Sequence, residues 1–277
     1  MTDDAAIRGR RKEMDMTQKY ALIGESLNYS LSPEIHGFMF DALSVDATYE
    51  RMEVAKDHFG NSEFLASISK LDGFNVTIPY KEKIIPFLNE ISEAARHIGA
   101  VNTVKVQNGI LMGYNTDYDG FVSVLNRTRE GKVIKSALVL GTGGAAKMVV
   151  YALKEMKVDR ITLASRDALL ARAKFPDVDC CTYESVNQND TYYDLLVNCT
   201  PVGHIGATKG ECVETAKFKD VGFIFDMNYN PAETHYLACG KKFDVQGVNG
   251  YDMLIAQAIR ADHIWLNVDL DIATWTM

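Results

Sequence analysis

The feature that most constrains this chain is a continuous apolar strand that runs into a glycine-rich turn and then into a helix. The strand is Ala137-Leu-Val-Leu140, and the following turn, Gly141 to Ala146, has the spacing G-x-G-x-x-A. In such a turn the first glycine permits a sharp bend, the second lets the backbone approach a ligand, and the small last residue lets the helix pack on the strand. The helix N-terminus then presents N–H groups that favour an anion such as a pyrophosphate. The segment predicts a dinucleotide-binding unit; the alternative is a glycine-rich turn without a ligand, and the order of strand, turn and helix favours binding.

The residues after the second strand of this unit bear on which dinucleotide is bound. That stretch is Ser165-Arg166-Asp167. Arg166 is suited to stack on adenine and to face a 2′-phosphate, which favours NADP. If the Asp167 side chain pointed into the site, it would repel that phosphate and suit the free ribose hydroxyl of NAD. The alternative is that Ser165 caps the next helix and Asp167, in its first turn, only stabilises that helix through the helix dipole. NADP is the expected cofactor, and NAD remains open.

Strand and helix patterns alternate through both halves of the 277 residues, which predicts an α/β fold with two domains. In the first half we predict a strand from Tyr20, a helix over Ser32–Leu43, a helix over Asp57–Lys70, a helix opened by Pro79 and a hairpin at Asn108-Gly109. A final helix is predicted over Tyr251–Leu266. The expected organisation is a disordered tail at 1–19, an N-terminal α/β substrate-binding domain from 20–117 with 250–277, and a Rossmann-type doubly wound NAD(P)-binding domain at 118–249.

Composition excludes several classes of protein. The net charge of −8 argues against a nucleic-acid partner, which usually requires a basic surface. No apolar run approaches the ~18 residues of a membrane helix, and the charged N-terminus lacks the centre of a signal peptide. The five cysteines are odd in number and lack C-x-x-C spacing, which indicates free thiols and a cytoplasmic protein. The histidines show no H-E-x-x-H pattern and are not expected to cluster with the cysteines, so no metal site is predicted.

A few polar side chains lie at positions that structural roles alone explain poorly. Ser30 and Ser32 place two hydroxyls at a predicted helix start, with Ser32 as its cap. Lys81 falls in the first turn of the helix predicted from Pro79, where a cation opposes the dipole at a cost of ~0.3–1 kcal/mol. That position favours a proton donor over a surface lysine. Asp117 is either the N-cap of the next helix or the carboxylate partner of Lys81, and the two roles are compatible.

These residues lie in a series of motifs that resemble the shikimate dehydrogenase family from about Tyr20 to Leu266. The matching blocks, in order, are Ser30-Leu-Ser32-Pro33, Asn75 to Glu82, Gly99 to Thr103, Asn115-Thr-Asp117, Gly141 to Ala145, Asn198-Cys-Thr-Pro-Val-Gly203, Asp226 to Leu237 and Gly250 to Ala258. Cys199 stands where the family has alanine. So many ordered blocks make a chance match improbable.

The resemblance implies a reversible NADP-dependent reduction of 3-dehydroshikimate to shikimate, a step of chorismate and aromatic amino acid biosynthesis. It implies Lys81 and Asp117 as catalytic residues, and it implies that the substrate is bound by Ser30, Ser32, Thr77, Asn102, Tyr229 and Gln257. Gln257 also falls in an apolar helix pattern, where a glutamine needs a polar partner unless it lies on a flank open to water. The cofactor residues so implied are Gly141, Thr142, Gly143, Gly144, Ala145, Ser165, Arg166, Asp167, Thr200, Pro201, Val202, Met227, Gly250 and Met253.

Two departures from the family keep alternatives open. Leu170 falls where many NADP-using members carry a second arginine, and Leu31 between the serines also occurs in relatives that accept quinate. A quinate/shikimate dehydrogenase preferring NAD is therefore the first alternative, and a non-catalytic sensor of a nucleotide and a small acid is the second. Either way the expected partner is a small molecule, and the chain is expected to be a monomer or homodimer.

Overall fold

The computed structural model describes residues 17–28, 30–129, 131–204 and 211–270. Within them the chain forms two α/β units. The first unit comprises residues 17–116 together with Ala258–Leu270, and the second unit comprises Asp117–Gln257. The predicted α/β class is confirmed. The division falls at 257/258, inside the last helix, whereas the sequence prediction placed it at 249/250.

The first unit is built on a six-stranded mixed sheet of order β2-β1-β3-β5-β6-β4. Its elements are β1 (Gln18–Gly24), α1 (Ser32–Leu43), β2 (Ala47–Glu53), α2 (Ser62–Ile68), β3 (Gly73–Val76), a 3-10 turn (Ile85–Phe87), β4 (Glu90–Ile91), α3 (Glu93–Ile98), β5 (Thr103–Gln107) and β6 (Ile110–Tyr114). Successive β1 side chains face opposite sides of the sheet. Ala21 and Ile23 join a core with Phe74 and Tyr80, and Tyr20 packs with Phe40 and Trp265 in another.

The first strand begins earlier than predicted and includes residues that were assigned to the disordered tail. Gln18 and Lys19 belong to β1, because Gln18 N donates to Asp46 O (2.9 Å) and Lys19 N donates to Asp72 Oδ2 (2.8 Å). The prediction of disorder is therefore wrong for these residues, and the part of the tail at 1–16 lies outside the described residues.

The helix predicted over Asp57–Lys70 is shorter. It begins only at Ser62, because Gly60 has φ +85°, outside the right-handed helix, and Asn61 caps the helix by accepting from Phe64 N.

The helix predicted from Pro79 does not form. Lys81 instead lies in a turn before the 3-10 segment Ile85–Phe87. Pro86 has no N–H to donate to the preceding turn, which prevents an α-helix from continuing there. The argument that Lys81 opposes a helix dipole therefore does not hold.

The second unit contains a fully parallel six-stranded sheet of order β9-β8-β7-β10-β11-β12, the doubly wound 3-2-1-4-5-6 arrangement. Its elements are α4 (Thr116–Thr128), β7 (Ser136–Leu140), α5 (Gly144–Glu155), β8 (Arg160–Ser165), α6 (Ala168–Lys174), β9 (Asp179–Thr182), α7 (Tyr183–Gln188), β10 (Leu195–Asn198), a 3-10 turn (Thr215–Asp220), β11 (Phe223–Asp226), α8 (His235–Lys241), β12 (Gln246–Asn249) and α9 (Tyr251–Leu266). The chain crosses from β9 back to β10 beside β7, which places the switch point of the sheet at the glycine turn.

The last helix, α9, belongs to both units in sequence, since the division follows Gln257. Its C-terminal half is part of the first unit's core. The Trp265 ring stacks on Tyr20 at 4.6 Å, and its Nε1 donates to Val104 O at 2.9 Å. Every helix among the described residues is too short or too polar to cross a lipid bilayer.

Candidate active site

The turn after β7 has the geometry that its glycines predict. Gly141 has φ +101°, and a Cβ there would lie 2.9 Å from Thr200 Cγ2, so only glycine fits. Gly143 is the N-cap position of α5, and a Cβ on it would meet nothing within 4 Å. The helix N-terminus at Gly144 and Ala145 therefore opens onto free space, which suits a pyrophosphate.

A pocket of about 530 Å³ lies beside this turn, within the range of small-molecule sites. Nine predicted cofactor residues line it: Gly141, Thr142, Gly143, Ser165, Arg166, Asp167, Thr200, Pro201 and Val202. Five further lining residues were not predicted as cofactor residues, although Leu170 was placed where many family members carry a second arginine: Leu170, Tyr183, Cys199, Glu211 and Cys212. Cys199 lies inside the motif that supplied its neighbours and could have been found. Tyr183 and Cys212 come from segments with no glycine or charge pattern to mark them.

At the ribose end of the pocket, the residue that caps α6 differs from the predicted one. Asp167, not Ser165, is the N-cap, because Asp167 Oδ1 accepts from Leu169 N (2.9 Å) and Leu170 N (3.0 Å). Ser165 Oγ donates to Asp167 O at 2.8 Å. The carboxylate is thus committed to its own helix while it also lines the pocket beside the exposed Arg166.

Buried hydrogen bonds behind β10 hold the opposite wall of the pocket. Thr200 Oγ1 donates to Asn198 Oδ1 at 2.7 Å, and Asn198 Nδ2 donates to Asp226 Oδ1 at 2.8 Å. Burial raises the pKa of the Asp226 carboxyl despite these bonds. Burial and the Asp226 charge also raise the pKa of the Cys199 thiol, which keeps it neutral and unsuited to act as a nucleophile.

Five predicted cofactor residues do not line this pocket: Gly144, Ala145, Met227, Gly250 and Met253. A Cβ at Gly250 would lie 2.3 Å from Met227 O, so these two backbones approach closely and glycine is required. Met253 O would lie 3.0 Å from a Cβ at Gly120, which brings the start of α9 against α4. Met227 and Gly250 are therefore close-packed within the second unit, and the role of Met227, Gly250 and Met253 in cofactor binding stays a prediction.

A row of hydrogen-bonded polar side chains begins at the predicted carboxylate site of the first unit. Ser30 Oγ donates to Ser32 Oγ at 3.1 Å and accepts from Ser32 N at 3.3 Å. Ser32 is therefore not the cap of α1: it lies inside the helix, whose cap position is Leu31, and the hydroxyl at the helix end belongs to Ser30. Ser32 also lies near the Tyr49 hydroxyl, whose pKa is raised by burial and lowered to a smaller extent by Ser32.

The row continues to the predicted site for the ring hydroxyls. Tyr49 Oη donates to Asn75 Oδ1 at 2.7 Å, and Asn75 Nδ2 donates to Thr103 Oγ1 at 2.9 Å. Asn102 Nδ2 donates to Thr116 Oγ1 at 3.0 Å, and its Oδ1 accepts from Thr116 N at 2.7 Å. We call the side chains Ser30, Ser32, Tyr49, Asn75, Asn102, Thr103 and Thr116 the hydroxyl–amide row. Tyr49, Asn75, Thr103 and Thr116 were not predicted as site residues.

Lys81 and Thr77 lie at the end of β3 in the same unit. Thr77 N donates to Ile23 O at 2.9 Å, and Lys81 O accepts from Val101 N at 2.8 Å. The backbone of Lys81 is thereby fixed to the residue before Asn102. Both Lys81 and Thr77 have half-buried side chains.

The remaining predicted residues belong to the second unit. Asp117 is half-buried in the first turn of α4, which begins at Thr116, so the N-cap alternative for Asp117 is wrong. Gln257 is 8% exposed, and its Nε2 donates to Leu254 O at 2.9 Å. This bond gives the amide the polar partner that a glutamine in an apolar helix was expected to require. The Tyr229 ring lies 6.4 Å from that of Tyr251.

The fold and these sites define a class: a two-unit α/β protein in which a doubly wound sheet carries a dinucleotide-type pocket and the other unit carries a polar row. The model of the shikimate dehydrogenase substrate binding domain matches residues 22–104. The shikimate dehydrogenase (NADP(+)) of Clostridium beijerinckii is 38% identical over 253 residues, 91% of this chain and 93% of that protein. The chain belongs to the shikimate dehydrogenase family.

Solved structures agree in fold. A chorismate mutase/shikimate 5-dehydrogenase fusion protein from Clostridium acetobutylicum superposes with a TM-score of 0.88 at 34% identity, covering 94% of this chain and 96% of the other. Shikimate 5-dehydrogenase from Thermus thermophilus, solved with NADP(H) and shikimate, gives 0.82 at 29% identity, covering 92% and 96%. The expected pairing of a substrate-binding domain with a Rossmann-type domain is confirmed.

Proposed function

We propose that this chain is an NADP-dependent oxidoreductase acting on a CH–OH group, which interconverts 3-dehydroshikimate and shikimate in the pathway to chorismate and the aromatic amino acids. Membership of the family supports the reaction class, and the names of the relatives support NADP and shikimate. The observation that carries the proposal is the hydroxyl–amide row. It holds two serine hydroxyls and the Asn102 amide of one unit in hydrogen bonds, and such groups suit a small acid with several hydroxyls.

The second unit would hold the cofactor. The open space at Gly143 and the helix N-terminus suit its pyrophosphate, and Arg166 suits its 2′-phosphate. Thr200 to Val202 provide the far wall. The chemistry supplied by a bound nicotinamide is hydride transfer to or from C3 of the substrate.

The first unit would hold most of the substrate. Ser30 and Ser32 donate hydrogen bonds to its carboxylate, and Tyr229 of the second unit assists. The ring hydroxyls are assigned to Thr77, Asn102 and Gln257. Since Ser32 is bonded to Ser30 and Asn102 to Thr116, these groups are held in one orientation before the substrate arrives.

Lys81 and Asp117 carry the proposed acid–base work. Negative charge builds on the C3 oxygen during reduction, and the Lys81 ammonium donates a proton to that oxygen or stabilises it. Asp117 orients Lys81 and binds a neighbouring hydroxyl. In the oxidation direction the neutral Lys81 amine accepts the proton again.

Steady-state assays of the pure protein test the assignment. We expect shikimate with NADP to give the highest kcat/KM among the four pairs of shikimate or quinate with NADP or NAD. Replacing Lys81 by alanine is expected to lower kcat by ~10²–10⁴-fold with a milder change in KM. Lys83→Ala, an exposed lysine two residues away, is the matched control and should keep wild-type kinetics. A near-normal kcat in Lys81→Ala would contradict the catalytic role.

One observation favours a second candidate, a quinate/shikimate dehydrogenase that prefers NAD. Leu170 and Asp167 line the ribose end of the pocket, and neither offers a positive charge to a 2′-phosphate. The same four assays decide, because this candidate requires the highest kcat/KM with NAD or comparable turnover of quinate. Binding of both ligands without turnover in any pair would indicate the non-catalytic sensor instead.

We further propose a cytoplasmic location and a monomeric or dimeric state. All five cysteines are free thiols, which suits a reducing compartment. Sedimentation velocity measurements on the pure protein would distinguish monomer from dimer.

A further inference from the structure

A cluster of potential metal ligands lies at the start of α8, and none of its residues has a role in the proposed reaction. His235 and Cys239 are four residues apart and therefore project from the same face of this helix. The Glu211 carboxylate approaches the same point from the segment before the 3-10 turn. One ligand atom from each residue lies within 4.8 Å of the other two. The expectation that histidines and cysteines do not cluster is therefore wrong at this position.

The distances match the edges of a metal coordination sphere. His235 Nε2 lies 3.5 Å from Cys239 Sγ and 3.2 Å from Glu211 Oε1. With typical zinc bond lengths, a tetrahedral site has edges of about 3.5 Å between sulfur and nitrogen and about 3.3 Å between nitrogen and oxygen. Two of the three edges are thus already formed. The third can close by rotation of the exposed Glu211 side chain.

Two potential ligand atoms approach one ring nitrogen. Nε2 of His235 faces both a carboxylate oxygen and a thiol sulfur, and Thr215 Oγ1 also lies 3.5 Å from that sulfur. A cation at the centre would contact all three atoms at once. A carboxylate and a thiolate would neutralise a divalent ion, which offsets the unfavourable dipole at a helix start.

Exposure suits an ion that enters from solvent. Cys239 is buried at 2% exposure, whereas the side chains of His235 and Glu211 are 35% and 42% exposed. The sulfur would form the inner ligand, the two exposed groups would close over the ion, and water would complete four-coordination. One nitrogen, one sulfur and one oxygen ligand favour a borderline-soft divalent metal over Mg²⁺ or Ca²⁺.

We propose that Glu211, His235 and Cys239 form a three-ligand site for Zn²⁺ or a similar borderline-soft divalent cation. The site is separate from the residues assigned to substrate and acid–base roles, although Glu211 also lines the 530 Å³ pocket. Its occupancy does not depend on the proposed dehydrogenase activity. The two proposals can therefore fail independently.

The site is tested by treating the full-length protein with a chelator to remove bound metal and then titrating it with metal ions. Isothermal titration with Zn²⁺ is expected to show one equivalent. Cd²⁺ is expected to produce thiolate-to-metal charge-transfer absorption in the ultraviolet. Cys239→Ser should abolish that absorption, and Cys239→Ser and His235→Gln should each weaken Zn²⁺ binding at least about tenfold. Cys180→Ser, which removes another buried thiol, and His58→Gln, which removes an exposed imidazole, are matched controls expected to bind like the wild type.

His235→Gln keeps the experiment decisive if Cys239→Ser does not fold, because His235 is half-exposed and tolerates replacement more readily. The proposal is overturned if the wild-type protein shows no charge-transfer band. It is also overturned if His235→Gln binds Zn²⁺ as tightly as His58→Gln does, since the ion would then occupy some other group of side chains.

Discussion

Gly141 and Gly143 stand two residues apart, yet each lacks a side chain for a different reason. Gly141 has a positive φ and a neighbouring side chain within 2.9 Å of any Cβ, so the fold itself requires glycine. Gly143 has φ −81° and open space in front of it, so the fold tolerates a side chain there. What a side chain at Gly143 would obstruct is the space assigned to the pyrophosphate.

Replacing each of these glycines by serine separates the two reasons. Gly143→Ser is expected to keep the free energy of unfolding, because serine is a good N-cap for α5, and to weaken NADPH binding at least about tenfold. Gly141→Ser is expected to lower the free energy of unfolding by about 1–3 kcal/mol. Urea denaturation and fluorescence titration with NADPH measure the two quantities. Normal NADPH affinity in Gly143→Ser would mean that the pyrophosphate does not bind at this turn.

At the scale of single elements, the short helix α6 shows how one side chain can serve both the fold and the pocket. Asp167 caps the helix through two backbone N–H groups, and it also contributes a negative charge beside Arg166 in the pocket wall. The capping role accounts for the presence of the residue. The charge bears on the choice between NADP and NAD.

Two substitutions of Asp167 distinguish the cap from the charge. Asp167→Asn keeps a capping oxygen and removes the charge, so the free energy of unfolding should stay near that of the wild type. Asp167→Ala removes both and should lower it by about 0.5–2 kcal/mol. Both variants should shift the kcat/KM ratio toward NADP by about two- to fivefold, because a partly screened repulsion is lost. A shift in only one variant would show that the charge is not its cause.

At the scale of the whole molecule, stability depends on carboxyl groups that the fold removes from water. Asp226 is fully buried at the end of β11, and burial raises its pKa above the value of about 3.9 in an unfolded chain. Between these two pKa values the folded protein keeps a proton that the unfolded chain has lost. The contribution of Asp226 to stability is therefore complete below the unfolded pKa, and it is lost as the pH rises through the folded pKa.

The pH dependence of unfolding tests this account. The free energy of unfolding of Asp226→Asn, relative to that of the wild type, is expected to rise as the pH increases from about 4 toward neutrality. Urea denaturation at several pH values measures the difference. Asp244→Asn, a change at an exposed carboxylate, is the control and should show no such trend. A difference between Asp226→Asn and wild type that does not change with pH would contradict a raised pKa.

Prediction from the sequence succeeded where the signal is local and continuous. The strand and turn at Ala137–Ala146, the hairpin at Asn108-Gly109 and the helix Tyr251–Leu266 all form, since apolar runs and turn residues act within a few positions. It failed at helix starts, where Ser32 was expected to cap and capping was one of two alternatives for Asp117 and for Ser165. Several polar residues stand near each start, and only the packed backbone decides which one accepts the N–H.

The amino-acid sequence by itself determined the α/β class, the glycine turn and the family to which this chain belongs, because each depends on residue types at short, regular spacings. Only the tertiary structure revealed the hydroxyl–amide row, the pocket wall at Tyr183 and Cys212, and the cluster of Glu211 with His235 and Cys239. Each of these features includes residues distant in sequence, whose contacts exist only after sheets and helices have packed. Spacing along the chain does not encode such distances.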